Sequence, residues 1–447
     1  MTWRYWCCIA TVAAGMTATA GPTNFLAWHP GIERMDADIK GETLVPLLRQ
    51  ISERTGWHVY MEPGTARTVS AKFKDLPSAD ALRMLFGGLN FSVSPRTNAS
   101  PVLYVFSTRV QNATQLVHGE DPAARKVAGE LLVKLRPGVN ADDLAKMVGA
   151  RIVARDDRLG LVRLQFGSEA AADAALNQLQ NNSDVAAVDY NYYYDPPPPA
   201  EMIGSSTLSP VSLQLKPPGD TGKVIVGLID TAVQRLDGSL NDFLMKSVSV
   251  AGDAGASGDL THGTAMAETI LRSVSVVEGG NSSVQILPVD VYGPNANTTS
   301  WDVALGIQAA VNNGATVVNL SLGGTGESSF LSALIQTAQN SGILFFAAAG
   351  NQPGSFATYP AAYPGVMAVT AEEQGKLAPY ANYGSFVDLA APDSTVAYLN
   401  NHAWFVQGTS VSTAYMTGLA AGTADATHQS WGQIQGTLLH SFPVPSK

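Results

Sequence analysis

Four residue types in the second half of this chain, set in a fixed order, have the chemistry of acyl transfer. Asp230 ends the run Val-Ile-Val-Gly-Leu-Ile-Asp, His262 stands in Thr-His-Gly-Thr, Asn351 ends Ala-Ala-Ala-Gly-Asn, and Ser410 stands in Gly-Thr-Ser-Val-Ser-Thr-Ala. Attack by a hydroxyl needs a base to take its proton, a carboxylate to orient the base, and donors to hold the oxyanion. Each residue alone has a plainer reading. Asp230 fits a turn or helix cap, His262 a solvated or capping histidine, Asn351 a turn asparagine and Ser410 a helix N-cap. The set is what carries the chemistry.

The elements around these residues suit the task. Residues 224–229, 284–291, 316–320, 343–348 and 366–370 are short continuous apolar runs, the pattern of parallel strands buried on both faces. Helical patterns fall between them at 263–273, 301–313, 328–340 and 409–424. This alternation predicts a doubly wound α/β sheet, whose active groups collect at the carboxyl ends of the strands. Asp230, Ser321 and Asn351 fall at or just past predicted strand ends. His262 and Ser410 open helices, where small neighbours allow close approach and a serine gains from the positive end of the helix dipole. The intervals, 32 residues from Asp230 to His262, 89 to Asn351 and 59 to Ser410, leave room for the intervening βα units.

In order and in local sequence these motifs resemble the subtilisin-like serine proteases over residues 220–440. The resemblance implies a subtilisin-type sheet, with Asp230, His262 and Ser410 as catalytic residues and Asn351 as oxyanion donor. It also implies that Ser321, Leu322 and Gly323, in Asn-Leu-Ser-Leu-Gly, pair with an extended peptide as an added strand. Two positions depart from the family pattern. Ala232 stands where a glycine is usual, and Ala414 stands where a proline usually stiffens the helix behind the serine. No metal site or cofactor is expected. Asp253 and Asp259 lie in a Gly-rich loop that reads as solvated, so calcium is possible but unsupported.

Two small α+β domains are expected ahead of this fold. Residues 35–109 show helical spacing at Leu44, Leu47, Leu48 and Ile51, a strand near 57–61, a second helix at Ala79, Leu82, Leu85 and Phe86, and strands near 91–94 and 102–107. This αββαβ-like pattern, with the phrase Leu-Leu-Arg-Gln-Ile-Ser-Glu-Arg-Thr-Gly-Trp-His-Val, resembles the short N-terminal domain of secretins and TonB-dependent receptors. That resemblance implies a periplasmic setting and an envelope protein partner. Residues 127–194 alternate strand, helix, strand, helix and strand, and resemble the propeptide of subtilases. There the resemblance implies a folding chaperone and inhibitor whose tail lies in the active cleft. Residues 195–219 follow as a Pro/Ser-rich linker. Its four prolines, 196–199, favour an extended, semi-rigid chain and disfavour cleavage at their own bonds, so processing is expected before Pro196 or between 201 and 216.

Bulk properties limit the rest. The chain has 447 residues, 45% apolar and 14% charged, with net charge −10. Residues 221–447 hold 6 Lys+Arg against 15 Asp+Glu (6 − 15 = −9), leaving 21 against 22 (−1) for residues 1–220. Such an acidic module is a poor nucleic-acid binder. Residues 1–20, with Arg4, an apolar stretch and Ala18-Thr19-Ala20, read as a secretory signal peptide. Cys7 and Cys8, the only cysteines, lie within it, so the mature chain is expected to have neither disulfide nor thiol chemistry, and no stable membrane span. The reading is a secreted or periplasmic serine endopeptidase acting on proteins or peptides and made as a self-processed zymogen. Its alternatives are an inactive or weak binding or regulatory protein of the envelope, an esterase or ligase using the same residues, and a regulatory protease that keeps its N-terminal units.

Overall fold

The computed structural model describes residues 24–445, apart from 30–32, 63–64, 97–98, 111–112, 114, 118–123, 196, 206–212, 218–222 and 237. The expected signal peptide and parts of the expected linker lie outside the described residues.

The N-terminal region runs β1 (Phe25–His29), β2 (Arg34–Thr43), α1 (Leu44–Thr55), β3 (His58–Met61), β4 (Thr68–Pro77), α2 (Ser78–Phe86), β5 (Asn90–Arg96), β6 (Ala99–Phe106) and β7 (Gln115–Leu116). It forms two sheets, β1-β2-β4 and β5-β6-β3-β7, around one apolar core that takes Leu47, Leu48 and Ile51 from α1 and Leu82, Leu85 and Phe86 from α2. The expected order αββαβ is extended here: two strands precede α1 and β6 follows β5. Both β2 and β4 bury alternate residues, Met35, Ala37 and Ile39 in one and Val69 in the other, and carry charge between them. A half-buried strand so rich in charge is easily read as loop.

The middle region comprises β8 (Lys126–Leu135), α3 (Ala141–Met147), β9 (Arg151–Asp156), β10 (Leu161–Gln165), α4 (Glu169–Leu179) and β11 (Val185–Tyr194). Its strands lie in the order β11-β8-β10-β9. Leu131 and Val133 of β8 face its own core with α3 and α4, whereas Leu132 faces the next region. This is the two-residue period of a strand between two cores.

Beyond it come β12 (Glu201–Ser205), β13 (Gln214–Leu215), β14 (Ile225–Asp230), β15 (Val248–Ser249), α5 (His262–Glu278), β16 (Asn281–Ser282), β17 (Gln285–Asp290), β18 (Thr298–Thr299) and α6 (Ser300–Asn312). The chain continues with β19 (Val317–Leu320), α7 (Ser329–Asn340), β20 (Leu344–Ala348), β21 (Val366–Glu373), β22 (Lys376–Leu377), β23 (Leu389–Pro392), β24 (Ser394–Leu399), β25 (His402–Gln407), α8 (Thr409–Thr427) and α9 (Trp431–Ser441). The central sheet runs β15-β17-β14-β19-β20-β21, parallel throughout, with β23 parallel to β21 and β22 antiparallel at the edge. Alternate residues of β14 serve the two faces. Val226 and Leu228 join α5, α8 and α9, while Ile225 and Ile229 join α6, α7 and the middle region.

The stretch expected as a Pro/Ser-rich linker contains two short strands. β12 pairs antiparallel with β25, and β13 pairs parallel with β16, so two segments that follow the prolines are docked. Main-chain hydrogen bonds to an open sheet edge hold the segment, and composition does not report these. Among the described residues no helix is long and apolar enough to cross a membrane.

Candidate active site

Asp230 is the last residue of β14, between β17 and β19, and its side chain is almost wholly buried. A carboxylate there must be compensated. Both oxygens accept from Nδ1 of His262, at 2.8 and 2.9 Å, and Oδ1 also accepts from the Thr231 amide at 2.7 Å. With Nδ1 donating, Nε2 is left as the acceptor of the ring. Nε2 is buried and has no hydrogen-bond partner among the described residues.

His262 is held by residues that the sequence reading passed over. Thr231 Oγ1 accepts from the Gly263 amide at 2.8 Å, and Thr261 Oγ1 donates to the Ala232 carbonyl at 2.7 Å. Gln234 Oε1 accepts from the Thr261 amide and from Thr264 Oγ1, while the Gln234 amide donates to Thr264 Oγ1. The loop after Asp230 thus clamps the first turn of α5. A Cβ on Gly263 would lie 2.2 Å from the Thr231 carbonyl oxygen, so only glycine allows this approach. The threonines that flank Asp230 and His262 in sequence were the available signal.

α5 and α8 then set the histidine beside the serine. A Cβ on Gly418 would lie 2.3 Å from the Ile270 carbonyl oxygen, and one on Gly422 3.2 Å from Val274 Cα. Ile270 is eight residues past His262 and Gly418 eight past Ser410; Val274 and Gly422 are each twelve past. The helices therefore pack in parallel and in register, which brings their two starts level.

Ser410 is the second residue of α8, after Gly408, whose φ of 143° favours glycine and where a Cβ would lie 3.1 Å from Asn351 Nδ2. Ser410 Oγ donates to the Ser321 carbonyl at 3.2 Å, and Ser321 Oγ donates back to the Ser410 carbonyl at 3.1 Å. The serine hydroxyl therefore rests on Ser321 and not on His262. Asn351 Oδ1 accepts from the Thr409 amide at 2.9 Å and from Thr409 Oγ1 at 3.0 Å, which places its NH₂ group, a donor, beside the start of α8. Asp253 and Asp259 stand in an exposed loop where Asp253 accepts from the Gly255 amide. Among the described residues no group of three His, Cys, Asp or Glu side chains gathers as a metal cluster.

The chain's own residues lie along the segment that follows β19. Tyr193 and Tyr194 pair antiparallel with Thr299 and Thr298 of β18, and the Asp195 amide meets the Gly323 carbonyl at 3.4 Å. Tyr194 is fully buried beside Gly324, where a Cβ would come within 2.9 Å of its ring; Gly326 makes the same allowance for Tyr192. Two side chains of β11 hold this strand in place. Asp189 accepts from the Phe330 amide and the Ser329 hydroxyl at 2.9 Å each, at the start of α7. Asn191 Oδ1 accepts from Ser300 Oγ at 3.0 Å and the Trp301 amide at 3.1 Å, at the start of α6. Burial pushes the Asp189 carboxyl above its usual range in spite of these bonds.

A parallel α/β sheet that brings an Asp–His pair and a helix-borne serine to its carboxyl end has the residue types that serine-nucleophile hydrolysis requires. Residues 221–444 match the model of the subtilase family, and residues 113–191 match that of the fervidolysin N-terminal prodomain. The chain is 31% identical over 317 residues to a thermophilic serine proteinase of Bacillus sp. (strain AK1), covering 66% of this chain and 77% of that protein. It is 39% identical over 165 residues to a thermostable alkaline protease of Halalkalibacterium halodurans, but spans under half of it, 46%, with 36% of this chain. Fervidolysin from Fervidobacterium pennivorans, described as a keratinolytic enzyme related to subtilisin, shares the fold with a TM-score of 0.52 at 21% identity, over 71% of this chain and 58% of that one. The chain belongs to the subtilase family of serine endopeptidases and carries a prodomain ahead of the protease fold.

Proposed function

We propose that this chain is a secreted or envelope serine endopeptidase, made as a self-processed zymogen, in which Ser410, His262 and Asp230 act on a peptide bond. Ser410 Oγ attacks the carbonyl carbon. His262 Nε2 takes the hydroxyl proton and passes it to the leaving amine, and water then releases the acyl group by the same route. Asp230 holds the ring and stabilises its cation, while Asn351 and the Ser410 amide receive the oxyanion. The observation that carries this reading is the buried Asp230–His262 contact, with Nε2 unpartnered among the described residues and level with Ser410. The serine hydroxyl must turn from the Ser321 carbonyl to Nε2. An arriving substrate amide that claims that carbonyl would release it.

Latency is supported by the end of β11, where Tyr193 and Tyr194 pair with β18 and the Asp195 amide reaches the carbonyl of Gly323, one of the residues proposed to pair with substrate. Prolines 196–199 follow in the sequence and disfavour cleavage at their own bonds, so a cut is expected before Pro196 or between Glu201 and Lys216. The alternative, a catalytically weak or inactive binding or regulatory protein, is favoured by Ala232 and Ala414, which depart from the family pattern. Export rests on the signal-like residues 1–20. A protein partner in the envelope rests on the likeness of residues 35–109 to the short domain of secretins and TonB-dependent receptors.

The test is the intact mass of secreted wild type beside Ser410→Ala. Loss of about the first 190–215 residues in wild type alone is expected. Both proteins remaining full length, without labelling of wild type by a serine-directed phosphonate, would overturn the protease reading in favour of the regulatory one.

A further inference from the structure

A chain of buried hydrogen bonds behind Ser410 has no part in the reaction as written above. Asn319 lies inside β19, between β14 and β20, and is completely buried. An amide there is unfavourable unless its bonds are made. Its Nδ2 donates to Ser321 Oγ at 2.9 Å, and its Oδ1 accepts at 2.9 Å from Oγ1 of Thr417, also fully buried in α8. Ser321 Oγ then directs its single proton to the Ser410 carbonyl at 3.1 Å. Reversing the Asn319 amide would turn the Ser321 proton back to Asn319 and leave two acceptors, Ser321 Oγ and the Ser410 carbonyl, facing each other. The orientation is therefore set by the whole row.

The row runs from the third turn of α8, through the central strand, to the peptide group of Ser410 itself. Along α8, Thr417 Oγ1 also approaches the Thr413 carbonyl at 2.9 Å, and Thr413 Oγ1 donates to the Thr409 carbonyl at 2.7 Å. The Thr413 bond stitches the first turn where Ala414 provides no stiffening ring. β19 leads directly into Ser321, Leu322 and Gly323, so the same bonds tie the serine to the segment that receives the substrate.

We propose that Thr417 and Asn319 are positioning residues, which through Ser321 hold the Ser410 peptide at a fixed distance from the substrate-pairing segment. This rests on the reading of Ser410 as nucleophile. Misplacing a reacting group by about 1 Å can cost around a hundredfold in rate, so loosening by a fraction of that should cost about tenfold.

The experiment compares wild type with Thr417→Val, Thr417→Ser and Ser321→Ala. It measures the rate of labelling by a fluorophosphonate, kcat and KM on a chromogenic peptide, and the melting temperature. Thr417→Val keeps the shape and removes the donor. It should lower labelling rate and kcat about tenfold with KM within about twofold, and Thr417→Ser should restore most of the loss. Ser321→Ala, which keeps the carbonyl and removes the last link, should match Thr417→Val, and the double variant should be no slower than the worse single one. If Thr417→Val does not fold, Ser321→Ala with Thr417→Ser decides, and a wild-type kcat in Ser321→Ala overturns the proposal. It is also overturned by wild-type kcat in Thr417→Val, by equal impairment in Thr417→Ser, or by additive losses. Labelling that persists in Ser410→Ala, or is absent from wild type, defeats instead the nucleophile reading on which it rests.

Discussion

The two ends of the α5–α8 pair use polar residues in opposite ways. At the starts of the helices, Asp230 is fully engaged by His262 and the Thr231 amide, yet the outer ring nitrogen is buried without a partner among the described residues. At the far end, Glu278 of α5 and Asp425 of α8 are almost as deeply buried, and there the bonds are made. Lys216 Nζ stands 2.9 Å from Glu278 Oε2 and 3.5 Å from Asp425 Oδ2. Asp425 also accepts from Ser282 Oγ at 3.0 Å, the Ser283 amide at 2.7 Å and the Ser283 hydroxyl. Burial, reinforced by the neighbouring Asp425, pushes Glu278 up to about 7. Burial opposes the charge on Asp425 too, but hydrogen bonds from Glu278, Ser283 and Ser282 hold it well below the usual carboxylate range. The far end is a closed clasp that ties the segment carrying β13 to the helices. The near end leaves one bond for a reacting proton to complete. A satisfied buried network stabilises; a site needs one member left open.

The sharpest way to break this contrast is Asp230→Asn. It keeps the size of the side chain but loses the charge that fixes the His262 tautomer. Activity should fall by about 10⁴ in kcat while the melting temperature moves little. A fall below tenfold would mean that Asp230 acts only as a structural group. Next in size is Gly418→Val, between the two ends. Its Cβ would meet the Ile270 carbonyl oxygen at 2.3 Å, main chain that cannot yield, so a loss of about 3 kcal/mol is expected in denaturant unfolding. Unchanged stability would show that the in-register packing of the helices does not set the level of their starts.

The smallest expected effect belongs to the clasp. Folded Glu278 keeps its proton to about pH 7, whereas the unfolded chain releases it near the ordinary 4.5. Between these values the folded state binds more protons, so stability that is complete below pH 4.5 falls as pH rises through 7. Relative to Glu278→Gln, wild type should lose a few degrees of melting temperature across that window, with a flat difference below it. Parallel curves would show that Glu278 titrates normally and that the clasp holds no shared proton.

Much of the central fold was legible because its signals are local. A strand buried on both faces is a continuous apolar run, and a helix start shows its small and hydroxylic residues, so β14, β17, β19 and β20 and helices α5 to α8 fall close to their expected places. The elements that escaped are those whose partners lie far away in sequence. β24 and β25 form a hairpin whose outer edge is covered by β12, and β12 looks like linker until that edge is present. Helix α9 was missed although Ser430 and Gln433 form a reciprocal cap at its start, a short-range signal that the reading passed over. At the site, the end of an apolar run pointed to Asp230, and motifs with nearby glycines pointed to His262, Asn351 and Ser410. Beyond the threonines that flank Asp230 and His262, Gln234 was silent because a clamp has no period, and Asn319 and Thr417 because nothing in sequence relates a strand to a helix 98 residues on.

By itself the sequence determined which groups exist and where the chain turns: an aspartate at the end of an apolar run, a histidine and a serine that open helices, and a proline run that the chain cannot fold into helix. These are decided by local sterics and by the period of burial, which act over a few residues. The tertiary structure alone decided that the two helix starts lie level, that Asp230 reaches Nδ1 of His262, and that residues 193–195 and β12 dock on opposite flanks of the prolines. Those outcomes depend on glycine-sized approaches and on open sheet edges, which come into being only when distant segments pack together.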